Sequence, residues 1–211
     1  MWRRVLLAIL SAVLPRHPRA ERAVRTDTRD IASLVTPTIL PKAQWILALL
    51  PYRDERVRAL IQAVKYHGEK DVAEKVAPYI TDHLTELLTQ KMQFEGWHHV
   101  LLVPIPTSPQ RLRERGYAQA ELYARAVAAR TPDIRLDESL LVRDDRVSQV
   151  RVPRTLRHTN IRGAFRAASS AHGAYIILLD DVVESGATLT DARRALLDAG
   201  AQGVIALAVA H

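Results

Sequence analysis

The sequence predicts an α/β fold with a mainly parallel central sheet flanked by helices and an N-terminal helical or irregular extension. Three observations predict it. Residues 175–179 and 204–209 are short apolar runs of strand length. Between them Leu189, Ala192, Leu196 and Ala199 recur on one helical face and stop at Gly200. A strand, a crossover helix and a second strand make a βαβ unit, which implies parallel strands with helices packed on the sheet. The length of 211 residues suits one such domain with an appendage.

The remaining elements follow in chain order. Trp2, Arg3 and Arg4 precede a mostly apolar run over residues 5–14, too short for a membrane span. Pro15, Arg16, His17, Pro18 and Arg19 follow it, without a small-x-small cleavage pattern, which favours a docked or surface helix over a signal peptide. The expected location is cytoplasmic, with peripheral membrane association through residues 1–14 as the alternative. Residues 15–42 are basic and proline-punctuated, and Pro37, Pro41 and Pro51 break any long helix there. The expected division is an apolar helix and basic irregular arm over residues 1–50, then the main domain over 51–211.

From Asp54 the periodicity sharpens. Val57, Leu60, Ile61 and Val64 mark an amphipathic helix that ends near Gly68. A second helix runs over about 71–90 through Val72, Val76, Ile80, Leu84, Leu87 and Leu88, with Pro78 as a candidate kink. Residues 99–103 read as a buried strand bounded by Pro104, Ile105 and Pro106. Residues 118–130 read as a helix, the arginine-rich 143–162 as a loop or flexible arm, and Ala164 and Phe165 as the start of a strand.

Thirty basic residues against 23 acidic ones leave a net charge of +7. Such a surface favours anionic partners, namely phosphorylated small molecules, nucleic acid or acidic lipid, unless it is only a solvated arginine-rich face. There is no cysteine, which excludes disulfides and thiolate metal sites. His67, His98 and His99 do not make a convincing replacement metal set, so no zinc is expected.

The chemistry concentrates after the strand at 175–179. In parallel α/β sheets ligands sit beyond the carboxyl ends of the strands, where Asp180 and Asp181 stand. Glu184, Ser185, Gly186, Ala187 and Thr188 then lead into the next helix. Gly186 permits positive φ or a close backbone approach. Successive N–H groups and the helix dipole favour a phosphate, and Ser185 and Thr188 add hydroxyls. Two adjacent carboxylates accept hydrogen bonds from a ribose diol or hold Mg2+ through water. A capped strand-to-helix turn would explain one Asp and one Gly, but not the whole run in order.

That run resembles the phosphoribosyl pyrophosphate signature of type I phosphoribosyltransferases. The resemblance implies that Asp180 and Asp181 bind the ribose hydroxyls and that Glu184 through Thr188 wrap the 5-phosphate. Other blocks narrow it to the ComF family, phosphoribosyltransferase-like proteins named for competence and DNA uptake. Val103, Pro104, Ile105 and Pro106, followed by Arg111 through Leu122, are similar to that family's pattern. So are Gln149, Arg154, Arg157, Asn160 and Gly163, Ala164, Phe165, and the upstream helix from Arg58 to Gly68. The resemblance covers about residues 52–211, with four blocks in order. Two departures stand out. The four-cysteine zinc module usual at the start of the family is missing. Glu184 occupies a position where threonine is more usual; an acid there resembles the purine-type transferases, in which it contacts the base. Glu184 is then a general acid/base or a tolerated loop residue.

The resemblance implies phosphoribosyl pyrophosphate or another ribose phosphate as ligand, with Mg2+, and attack of a nitrogen nucleophile at C1 through an oxocarbenium-like transition state. Catalysis would be mostly electrostatic, carried by Asp180, Asp181 and Glu184. The loop after the strand at 101–103 would hold the pyrophosphate through Thr107 and Ser108, with Arg111 or Arg115 supplying charge. The arm around 149–157 closes over the site or is a basic loop. The rival reading is a catalytically inactive nucleotide-binding or DNA-uptake accessory, with single-stranded DNA or competence proteins as partners and 143–162 tracking the nucleic-acid backbone; no interleaved aromatic set supports base stacking. The apolar start leaves a homodimer open.

Overall fold

The computed structural model describes residues 27–143 and 163–211. The apolar start at 1–14, residues 15–26 of the basic arm and residues 144–162 lie outside the described residues. Among the described residues, α1 (Thr28–Ala32), capped by the Asp27 carboxylate, leads into the antiparallel pair β1 (Thr38–Leu40) and β2 (Ala43–Leu50). Then come α2 (Glu55–His67), α3 (Lys70–Glu95), β3 (Val100–Pro104), α4 (Pro109–Arg115), α5 (Gln119–Ala128) and β4 (Arg135–Leu136). The antiparallel pair β5 (Leu141–Arg143) and β6 (Phe165–Ala167) precedes β7 (Tyr175–Val182), α6 (Ala187–Asp198) and β8 (Gly203–Ala210).

Local chemistry sets the element ends. Asp54 starts α2 by accepting the Arg56 N–H at 2.8 Å, and Gly68 ends it at φ 62°. Only a residue without a Cβ adopts that conformation at no steric cost. Val57, Leu60, Ile61 and Val64 are buried, as their spacing predicts. The following helix extends to Glu95 and continues through Pro78 as one element.

The main sheet runs in the order β1-β2-β8-β7-β3-β4, and every pairing except β1–β2 is parallel. This is the helix-flanked, mainly parallel α/β sheet that the sequence predicts. Ile176, Ile177, Leu178 and Leu179 in β7 are fully buried, because both faces of a parallel sheet are covered. Alternation sorts them: Ile177 and Leu179 face the core shared with α2, α3 and α5, while Ile176 and Leu178 face α6 and the β5–β6 pair.

Three expectations are corrected. Residues 43–50, expected within the irregular arm over 1–50, form an interior strand paired on both sides, so the sheet begins before residue 51. Pro41 lies in the turn between β1 and β2 and Pro51 just after β2, where no ladder N–H is needed. Arg143, expected in a loop, ends β5. Asp180 and Asp181, expected directly after the strand, are its last turns of pleat, since β7 continues to Val182.

Candidate functional site

The order of connections places the site. From β3 the chain passes through α4 and α5 to β4 on one side; from β7 it passes through α6 to β8 on the other. The crevice between the carboxyl ends of β3 and β7 is therefore a topological switch point, where open α/β sheets bind ligands. The loop after β3 and the loop after β7 meet there. The Ile105 N–H donates to the Leu179 carbonyl at 2.8 Å, stitching the first loop to the residue before Asp180.

Pairing of β3 with β7 ends at Pro104 and Leu179, so the acid pair projects beyond β3 while still held by β8. The Asp181 N–H donates to Asp180 Oδ1 at 2.8 Å and the Val182 N–H to Asp181 Oδ1 at 2.9 Å. Burial, and next the Asp181 carboxylate beside it, push the Asp180 carboxyl well above the usual carboxylate range, while the Lys65 ammonium pulls the other way. A carboxyl in this setting gains from a cation or from hydroxyl donors. Beneath the pair, on α5, Tyr123 is fully buried, and its Oη has no hydrogen-bond partner among the described residues. Burial and the Asp181 charge push its phenol well up.

The loop after β7 starts rigidly. The Val183 N–H donates to the Ala210 carbonyl at 2.9 Å, and His211 Nδ1 donates to the Val183 carbonyl at 2.8 Å. Glu184 and Ser185 are then exposed. Gly186 sits at φ 76°, and a Cβ there would stand 3.1 Å from Ile46 Cδ1, so the loop lies directly on β2. The first bond of α6 runs from the Thr190 N–H to the Gly186 carbonyl at 2.8 Å. The Ala187 N–H leans on Ser185 Oγ at 3.4 Å. Among the described residues the N–H groups of Glu184, Ser185, Gly186 and Thr188 meet no acceptor. A left-handed glycine followed by free first-turn amides is the backbone arrangement that cradles a phosphate.

The structure places Asp180, Asp181 and the run from Glu184 to Thr188 on one strand–loop–helix unit. It places Thr107 and Ser108 on the neighbouring loop, both half-buried. The Ser108 hydroxyl oxygen accepts the Arg111 N–H at 3.3 Å and caps α4. Arg111 is exposed, whereas Arg115 is half-buried, with its guanidinium 5.3 Å from the centroid of the Tyr66 ring. The arm residues Gln149, Arg154 and Arg157 lie outside the described residues.

Two residues escaped the sequence reading. Asp191, on α6 and only 4% exposed, accepts the N–H groups of Gly163, Ala164 and Phe165 at 2.8, 2.8 and 3.3 Å. Arg194 donates to it as well, at 3.1 and 3.0 Å. This carboxylate ties the helix that opens with the phosphate-type loop to the start of β6. Its position on the buried face of α6, between Leu189 and Ala192, is the signal that could have marked it. The other is Tyr123 on α5, whose fully buried hydroxyl has no hydrogen-bond partner among the described residues and is marked only once the chain is folded.

Among the described residues no group of three or more His, Asp or Glu side chains is placed to hold a metal, and no helix is long and apolar enough to cross a membrane.

No protein-family model matches the chain. It is 28% identical over 184 residues to the competence protein ComFC of Bacillus subtilis (strain 168), an alignment covering 87% of this chain and 70% of that one. The ComF resemblance thus extends over most of the sequence. Among solved structures, the chain is similar to the glutamine phosphoribosylpyrophosphate amidotransferase from B. subtilis complexed with ADP and GMP, with a TM-score of 0.43 and 17% identity, covering 70% of this chain and 30% of that one. It is also similar to the glutamic acid mutant from an analysis of an invariant aspartic acid in HPRTs, with a TM-score of 0.36 and 14% identity, covering 64% and 63%. The chain therefore spans less than two thirds of either structure's length.

Proposed function

We propose, from the premise that this chain is akin to ComFC along most of its length, that it binds a ribose 5-phosphate group, presented as phosphoribosyl pyrophosphate, and transfers it to a nitrogen acceptor. The observation that carries the proposal is the unit after β7: an acid pair at a switch point, followed by a glycine turn in which the N–H groups of Glu184, Ser185, Gly186 and Thr188 meet no acceptor among the described residues. The amides of Glu184 through Thr188, with the hydroxyls of Ser185 and Thr188, hold the 5-phosphate. Asp180 and Asp181 accept the ribose hydroxyls. Their oxygen donors also suit Mg2+ through water, and the cation, when bound, offsets the charge of the diphosphate. Thr107 and Ser108 flank the diphosphate from the loop after β3.

In the transfer the acceptor nitrogen forms a bond to C1 as the bond from C1 to the pyrophosphate oxygen breaks. The pyrophosphate leaves with the bonding electron pair. Glu184, which is exposed, takes the proton released by the acceptor. The remaining contribution is electrostatic: fixed amides and carboxylates face the charge that develops on the sugar and the leaving group.

The name of ComFC favours a second reading, in which the same pocket recognises a nucleotide or ribose phosphate without turnover and serves DNA uptake. One experiment tests the shared core and separates the two. Phosphoribosyl pyrophosphate with Mg2+ should raise Tm by a few degrees, because a ligand at a hundredfold excess over Kd stabilises by about 2.7 kcal/mol. EDTA, or Asp180→Asn combined with Asp181→Asn, should abolish the rise. An unchanged melt in wild-type protein sinks both readings. Pyrophosphate release in the presence of candidate bases supports transfer; stabilisation without release across them supports recognition alone.

A further inference from the structure

Helix α5 carries one polar atom that the fold leaves unused. Tyr123 is fully buried, and its Oη meets no hydrogen-bond partner among the described residues. Tyr117, only partly buried, does find one: its hydroxyl donates to the Lys65 carbonyl at 3.3 Å. A desolvated hydroxyl without an acceptor is costly. Phenylalanine would fill the same space in the core that Tyr123 shares with Leu102, Ile177 and Leu179, without that cost. Packing therefore accounts for the ring and leaves the oxygen without a role.

The fold aims that oxygen at Asp181. Strands β3 and β4 are parallel and α5 lies between them in the chain, so α5 runs back against the strands and begins at their carboxyl edge. Side chains on a helix lean toward its N-terminus, so Tyr123 leans toward the edge where the acid pair stands. On β7, Ile177 and Leu179 face the same core as Tyr123. The register of β7 with β8 continues without a shift to Val182, so strand alternation puts Asp181 next on that face, directly beyond Leu179. The action of the Asp181 charge on the phenol agrees with this placement. In the structure Asp181 Oδ1 accepts the Val182 N–H at 2.9 Å, which folds the carboxylate back along its own strand. A carboxylate that grips a sugar needs its oxygens turned outward and held there.

We propose that Tyr123 is a positioning residue for the acid pair: on ligand binding its hydroxyl donates to the Asp181 carboxylate and fixes the oxygens that accept the ribose hydroxyls. The inference rests on the phosphoribosyl reading above, in which Asp181 meets the sugar. It gives the buried phenol a signature that a packing residue lacks. The unmatched hydroxyl weighs on the unliganded fold and is satisfied only in the complex, so it lowers stability and raises affinity.

The test uses the full chain, thermal melts, and calorimetric titration with two probes, ribose 5-phosphate and inorganic phosphate. Without ligand, Tyr123→Phe should melt at or above wild type, because it removes a buried hydroxyl that has no acceptor. The same variant should bind ribose 5-phosphate about tenfold more weakly, as for loss of a hydrogen bond to a charged group. Its affinity for inorganic phosphate should stay within about twofold of wild type, because the loop amides hold that group alone. In an Asp181→Asn background the substitution should shift ribose 5-phosphate affinity by less than about twofold, since a residue acting through Asp181 loses its effect with it. A lower melt with equal losses for both probes would show a packing role and overturn the inference. So would a full loss persisting in the Asp181→Asn background. Wild-type protein that binds ribose 5-phosphate no better than inorganic phosphate would refute the phosphoribosyl reading and this inference with it. Tight ribose 5-phosphate binding by wild type, unchanged in Tyr123→Phe, would overturn the inference and leave that reading standing.

Discussion

Asp180 stands where burial and a neighbouring carboxylate both oppose its ionisation. The native state therefore holds the Asp180 proton more tightly than the unfolded chain does. By linkage, the stability this group contributes is full below its unfolded value of about 3.9 and is lost as pH rises through the higher folded value. Asp180→Asn removes the ionisation and keeps the shape. Without ligand, this variant should melt above wild type near neutral pH, and the gap should close as the pH is lowered toward about 4. Melting curves across that range check the claim, and a variant less stable than wild type at neutral pH would refute it. The same substitution should weaken binding of phosphoribosyl pyrophosphate. The acid pair was legible in the sequence because both carboxylates are contiguous with the strand and turn that display them. Asp191 and the Tyr123 hydroxyl, unpartnered among the described residues, were not, because what marks them is burial and proximity between distant segments.

Among the elements, α2 packs Val57, Leu60, Ile61, Ala63 and Val64 into the core. Its start depends on Asp54, whose carboxylate accepts the Arg56 N–H and two bonds from the Arg56 guanidinium, at 3.1 and 2.7 Å. The Arg56 side chain, then its N–H, lower the Asp54 carboxyl to about 2. A lowered value has the opposite sign to that of Asp180: the stabilisation is complete above the ordinary carboxylate value and disappears as pH falls through about 2. Asp54→Ala should cost about 1 kcal/mol at neutral pH, the usual worth of an N-cap. The difference should shrink steadily below about pH 4. Urea unfolding of both proteins along a pH series measures it, and a penalty that does not vary with pH would mean the carboxylate is not the cap. Helix α2 and the β7–α6–β8 unit were readable because their apolar spacing matches a single period over many residues. Strand β2 is less legible, although Trp45 through Leu50 form a continuous apolar run, because the flanking Pro41 and Pro51 are equally the marks of an irregular arm. Helix α4 was missed because seven mostly exposed residues bury no stripe.

At the scale of the whole molecule, the assignment of β2 changes where the protein can be cut. β2 lies between β1 and β8, and its end is sewn to the end of β8: the His211 N–H donates to the Leu50 carbonyl at 3.0 Å, and the Tyr52 N–H to the His211 carbonyl at 2.7 Å. Ile46 of the same strand forms the floor under Gly186. The segment 38–50 is thus both sheet and site wall, and a chain starting at residue 51 lacks both. It would leave an open parallel edge at β8, whose residues 204–210 are buried in the intact fold, and such an edge invites association. A fragment covering 51–211 should therefore aggregate or melt well below the full chain and lose ribose 5-phosphate binding. A fragment covering 27–211 keeps every contact named above and should melt cooperatively and bind. Size-exclusion chromatography, thermal melts and ribose 5-phosphate titration of the two fragments decide the matter. If the shorter one stays monomeric and matches the longer one in Tm and affinity, β2 is dispensable, and the loop after β7 holds its phosphate-binding shape without the strand beneath it.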